Sequence, residues 1–172
     1  KTEQEIPSIV YRKEEEGIDT TTVDKPHGLY TGVEHPTQKE LKGKQVELKT
    51  NPKAKILKVD TSEFVYTNRG LVGKPANIAA LEKLLDTQEF SNLLSLSKPE
   101  LLELLSSKYP NIEWTKYHDI HEMLEGYGGL LAKESGYDSI FGYDNKAPEF
   151  NEYVGLTNNA FISEPSKKTI SK

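Results

Sequence analysis

Gly136-Tyr137-Asp138-Ser139-Ile140-Phe141-Gly142-Tyr143, followed by Asp144-Asn145-Lys146-Ala147-Pro148-Glu149-Phe150-Asn151 and then Glu152-Tyr153-Val154-Gly155-Leu156-Thr157, is the stretch on which the fold turns. Gly136 suits a left-handed helix stop. Tyr137 to Tyr143 then reads as a strand, Asp144 to Asn151 as a turn-rich loop around Pro148, and Glu152 to Thr157 as a second strand. A carboxylate that opens a buried strand is costly unless it is partnered or faces a cleft. Glu152 is therefore either in a cleft or at an exposed strand edge.

Upstream of Gly136 the pattern is helical. Pro75 suits a first turn, and Ile78, Leu81, Leu84 and Leu85 recur at helical spacing. Ser97-Lys98-Pro99-Glu100 has the form of a capping box ahead of Leu101, Leu102, Leu104 and Leu105. A third helix is expected over Lys116 to about Ser135, with Ile120, Met123, Leu124, Tyr127, Leu130 and Leu131 on its apolar side. Gly126, Gly128 and Gly129 weaken it and predict a break there. Before the helices come Ser8 to Arg12, Gln45 to Thr50 and Ala54 to Asp60, which read as strands, with Asn51-Pro52 separating the last two. Strands, helices, strands is the order of a mixed α+β domain rather than an alternating one. One domain over residues 8–163 is expected, with residues 1–7 and 164–172 as flexible ends.

Composition agrees with a soluble globular domain and removes several functions. The chain has 172 residues, 22 Lys plus Arg and 27 Asp plus Glu, a net charge of −5 that argues against a dedicated nucleic-acid binder. Cysteine is absent, so thiolate catalysis, disulfides and cysteine zinc sites are excluded, while the compartment stays open. No apolar stretch approaches the roughly 20 residues that span a bilayer. A start at Lys1 rather than Met predicts a processed chain. The lysines between Lys39 and Lys58 alternate with Val, Leu and Ile, which predicts the solvated face of a sheet rather than a phosphate stripe.

His118, His121 and Glu122 look like a fragment of a metal site on one helix face, but the helical zinc motif spaces its histidines i, i+4 and needs a further ligand. With His27 and His35 in a turn-rich loop, surface or partly buried histidines and no metal are expected. No glycine-rich phosphate loop is present, since Gly70 to Gly73 lacks the Lys-Ser/Thr that follows one.

The pattern GYDSI, loop, NEYVGLTNNAFIS resembles the C-terminal signature of the ADP-ribosyltransferase fold, particularly its small phage and bacterial members. Tyr11-Arg12 resembles the family's first-strand Tyr-Arg, and Gly28-Leu29-Tyr30-Thr31 its second motif strand. The resemblance covers most of Ser8 to Ser163. It implies two small packed β-sheets with a helical segment between the motif strands, and NAD as substrate. Glu152 would stabilise the positive charge of glycosidic cleavage. Arg12 would bind the pyrophosphate, Thr31 orient the ribose, and Tyr30 or Tyr143 stack on the nicotinamide. Glu149 and Phe150 would face the acceptor; Phe150 stands where arginine-modifying members carry Glu or Gln. Each residue also has an ordinary reading: Arg12 can pair with the acidic run Glu14 to Glu16, and the two tyrosines can simply pack. The implied activity is transfer of ADP-ribose to a macromolecular acceptor, most naturally a protein, or NAD hydrolysis without one. A non-catalytic protein-binding module on the same fold is the competing expectation.

Overall fold

The computed structural model describes residues 5–14, 26, 28–33, 44–67 and 70–162. The calls on His27, His35, Glu15, Glu16, Lys39 and the tail after residue 162 lie outside the described residues. The first half of the chain forms β1 (Ile9–Glu14), β2 (Leu29–Gly32), β3 (Lys44–Lys49), β4 (Ile56–Asp60), β5 (Phe64–Thr67) and β6 (Gly70–Gly73). Four helices follow, α1 (Ala76–Leu84), α2 (Thr87–Leu94), α3 (Lys98–Lys108) and α4 (Ile120–Glu134), and then β7 (Ser139–Tyr143) and β8 (Glu152–Gly155).

The α+β class holds, but the sheets are not two small packed ones. Among the described residues a six-stranded sheet in the order β3-β1-β2-β8-β7-β4 carries the fold, and the second sheet is the hairpin β5-β6. The cause is β8, which pairs antiparallel with β2 on one side and with β7 on the other, joining N-terminal and C-terminal strands in one layer. The β4-β7 pair is parallel. Residues 5–7, expected as part of a loose end, are tied to this sheet: Ile6 packs against it, and the Thr50 hydroxyl donates to the Pro7 carbonyl at 2.6 Å.

Strand alternation divides the sheet into two faces. Tyr30, Leu57, Val59, Ile140, Val154 and Leu156 share one face and pack on Ala76, Ala79 and Ala80 of α1 and Ala132 of α4. Val10, Leu29, Leu48, Phe141 and Tyr153 share the other, closed by Ala160 and Phe161. A third apolar cluster is entirely helical, with Ile78, Leu81, Leu101, Leu105, Trp114, Met123 and Leu124 nearly inaccessible. Alanines on one side of α1 and Ile78 and Leu81 on its other let one helix serve the sheet and the helical cluster together.

Helix boundaries follow local chemistry. The Ser97 capping box forms as read, with the Ser97 N–H donating to Glu100 Oε1 at 2.8 Å. A second box, Asp86 with Glu89, starts α2, an element the sequence reading did not single out. The helix placed from Lys116 begins instead at Ile120. Asp119 caps it by accepting from the Glu122 N–H at 2.9 Å, so His118 lies outside the helix. It is also unbroken at its glycines. Gly128 faces α1, and a Cβ there would overlap the Asn77 carbonyl. The glycines are contact surface, which compensates their low helix propensity. Gly136, at φ +98, ends α4 as read: its N–H donates to Lys133 O at 3.0 Å and that of Tyr137 to Ala132 O at 3.1 Å.

Candidate active site

Glu152 opens β8 at the edge of the helix-bearing face. Its neighbours across the sheet are Gly32 on β2 and Gly142 on β7, so no side chain flanks the carboxylate from either strand. Gly142 is required for a further reason: a Cβ there would stand 2.8 Å from both Ala76 Cβ and Thr61 Cγ2. That close approach brings the first turn of α1 to the carboxylate, and the Ala76 N–H donates to it. Burial, and then the charge of Glu125, nevertheless raise the Glu152 pKa from 4.5 to about 7. The side chain opens into a cavity of about 300 Å³ lined by Thr61, Lys74, Pro75, His121, Asp144, Phe150 and Glu152.

Of the residues singled out from sequence, Tyr30 joins Glu152. It shares the face through its pairing with Val154, and its hydroxyl is buried. That burial, the Glu125 charge and then the Glu152 charge push its pKa well above the ordinary tyrosine value. Phe150 lines the cavity and is 63% exposed. Glu149 is exposed beside it in the short turn Pro148–Phe150. The loop bearing them is closed by buried Asn151, whose Oδ1 accepts from the Asp144 N–H at 2.8 Å.

Arg12, Thr31 and Tyr143 are not brought to the carboxylate. Register places all three side chains on the opposite face of the sheet. Arg12 is 8% exposed and donates from Nη1 to the Tyr30 carbonyl at 3.0 Å. The Thr31 hydroxyl donates to the Tyr153 carbonyl at 2.6 Å. Tyr143 stacks on Phe141, with ring centroids 6.2 Å apart. Arg12 and Thr31 brace the strands carrying Tyr30 and Glu152 from behind, while Tyr143 packs along its own strand β7.

Helix α4 and the entry to α1 supply Glu125, Asn77 and Lys74, which sequence reasoning did not single out, and His121, which it weighed only as a metal ligand. His121 and Glu125 stand one turn apart on α4, with His121 Nε2 3.6 Å from Glu125 Oε2. Asn77, fully buried on α1, donates from Nδ2 to the Glu125 carbonyl at 2.9 Å and fixes that turn against the sheet. Lys74 is nearly buried, with Nζ 2.7 Å from Glu82 Oε1. The i, i+4 spacing of His121 and Glu125 was visible in the sequence, but nothing local says which way that side of α4 faces. His118 is exposed, and its N–H donates to Glu122 Oε1, so the His118, His121, Glu122 group is not assembled. Among the described residues no cluster of three or more His, Cys, Asp or Glu side chains is arranged to hold a metal ion. Nor, among them, is any helix long and apolar enough to cross a membrane.

Chemically, the cavity lining combines a carboxylate that titrates near neutrality, an imidazole paired with the adjacent Glu125, and a nearly buried cation held by Glu82. Such a set can stabilise a developing positive charge and move a proton. No family model, curated protein or solved structure matches the chain.

Proposed function

We propose that the Glu152 cleft cleaves the N-glycosidic bond of NAD and transfers ADP-ribose to a macromolecular acceptor, a protein, or to water when no acceptor is bound. The observation that carries this reading is the Glu152 carboxylate itself, set between Gly32 and Gly142 where a sugar ring can approach it with no intervening side chain. The likeness of residues 136–163 to the ADP-ribosyltransferase signature supports it. Ionised Glu152 stabilises positive charge developing on the ribose, and in a poorly hydrated cleft that attraction is far stronger than in water. Tyr30 packs on the carboxylate's face next to the core, and the Lys74 ammonium, which lines the cavity and is paired with Glu82, is the cation offered to a phosphate. Arg12 serves by holding the Tyr30 backbone. Exposed Phe150 and Glu149 at the rim provide an apolar and a charged contact for a protein acceptor.

The test is nicotinamide release from NAD by the wild-type chain and by Glu152→Gln, with a cell lysate as acceptor source. Release by wild type, falling at least about 100-fold in the variant while NAD binding persists, is the expected result. A wild-type chain that neither binds nor consumes NAD overturns the reading and favours a protein-binding module that uses Phe150.

A further inference from the structure

Transfer to an acceptor needs more than charge stabilisation. A hydroxyl or a guanidinium must give up a proton as it attacks, and Glu152, committed to the sugar, is poorly placed to take it. The segment between β6 and β7 brings a second titratable pair to the same cavity. His121 lines the cavity with Glu152, and Glu125 lies 3.6 Å from its Nε2. The pair is built in. The Asn77 bond holds the backbone of Glu125, and the close contact of Gly128 with α1 fixes the rotation of α4 that turns both side chains toward the sheet.

We propose that His121, positioned by Glu125, is the general base that deprotonates the acceptor, and that the acceptor is a protic side chain, hydroxyl or guanidinium, rather than a carboxylate. This rests on the glycosidic reading above. In this role His121 would face Glu125 with Nε2, 3.6 Å from Oε2, and carry its lone pair on Nδ1. The C1′–N bond breaks with its electron pair passing to the nicotinamide nitrogen. A bond forms between C1′ and the acceptor heteroatom, whose proton moves to Nδ1 and then to solvent. No electrons change hands. An acidic acceptor needs no base and would meet Glu152 and Asp144 in the cavity lining and Glu125 beside His121, with the Lys74 cation there itself paired with Glu82. The charged groups around His121 are Glu125, Asp119 and Glu122 from its own helix and its N-cap, with Glu152, Lys74 and Asp144 lining the cavity from other elements. The carboxylates, Glu125 first, raise the imidazole above its ordinary value against the opposing effect of burial.

Azide separates this role from a structural one, because it is a nucleophile with no proton to lose. The experiment measures NAD binding and nicotinamide release in buffer, with and without sodium azide, for wild type, His121→Gln, His121→Asn and Glu152→Gln. Both His121 variants are expected to bind NAD within about two-fold of wild type, to lose about 100-fold in release with water as acceptor, and to recover with azide while forming ADP-ribosyl azide. Glu152→Gln is expected not to recover. Wild-type release from either His121 variant in the absence of azide overturns the base assignment and leaves the Glu152 reading intact, as does an NAD-binding His121 variant that azide does not rescue. If wild type and Glu152→Gln release nicotinamide equally, both readings fall.

Discussion

Glu152 is a residue whose usefulness and cost have the same origin. Its pKa is raised from 4.5 to about 7, so between those values the folded chain binds a proton that the unfolded chain releases. Stability therefore falls as pH rises through that window, and the full penalty is present above it. Glu152→Gln is expected to be more stable than wild type by about 1–3 kcal/mol at pH 8 and nearly equal to it at pH 4.5, read from urea midpoints. On the proposed glycosidic reading, the same titration is expected to give NAD turnover an ascending limb near pH 7, measured as nicotinamide release against pH. Glu152 was legible because a carboxylate after a loop and before an apolar strand is a local signal. Glu125 was not. Its place at the site depends on Asn77, 48 residues earlier, and on a glycine contact that no window of sequence contains. Arg12 was legible as a strand residue, but its burial and the face it takes follow from register, which is fixed by β3 and β2 rather than by its neighbours in sequence.

Among the elements, α4 shows how propensity yields to packing. Three glycines in four positions predict a broken helix, yet Gly126, Gly128 and Gly129 are all buried and the helix runs through them. Gly128→Ala gains helix propensity and loses the fit to α1. The loss dominates, because the added methyl meets backbone that cannot move aside. A net destabilisation of about 1–3 kcal/mol is expected from the urea midpoint, together with weakened turnover as Glu125 shifts. The opposite case is α2, whose Asp86 cap is exposed and distant from the cavity. Asp86→Ala is expected to cost about 1 kcal/mol and to leave NAD turnover unchanged. The capping grammar that made α3 legible was equally present at Asp86-Thr87-Gln88-Glu89. What hid α2 was the apolar pair Leu84-Leu85, which carries helical spacing past the true end of α1 at Leu84.

For the whole molecule, α1 is the shared wall of two apolar clusters, so losing one removes support from the other. Leu105 is fully buried in the helical cluster, remote from the sheet, and Leu105→Ala is expected to cost about 2–5 kcal/mol. Fluorescence of Trp114, the single tryptophan and 2% exposed in that cluster, should fall in step with the far-UV signal of the sheet. Two separated transitions would show that the clusters unfold independently. The sheet's strand order has a further consequence, for the chain as it is made. The strand that sits between β2 and β7 is the last described one to be synthesised. At typical elongation rates roughly 6–25 s separate the appearance of Leu29 from that of Glu152. For nearly all of that interval a nascent chain on the ribosome can pair only β3, β1 and β2 of this sheet, because β4 waits for β7 and the two groups of strands wait for β8, so the sheet is completed only as synthesis reaches Glu152.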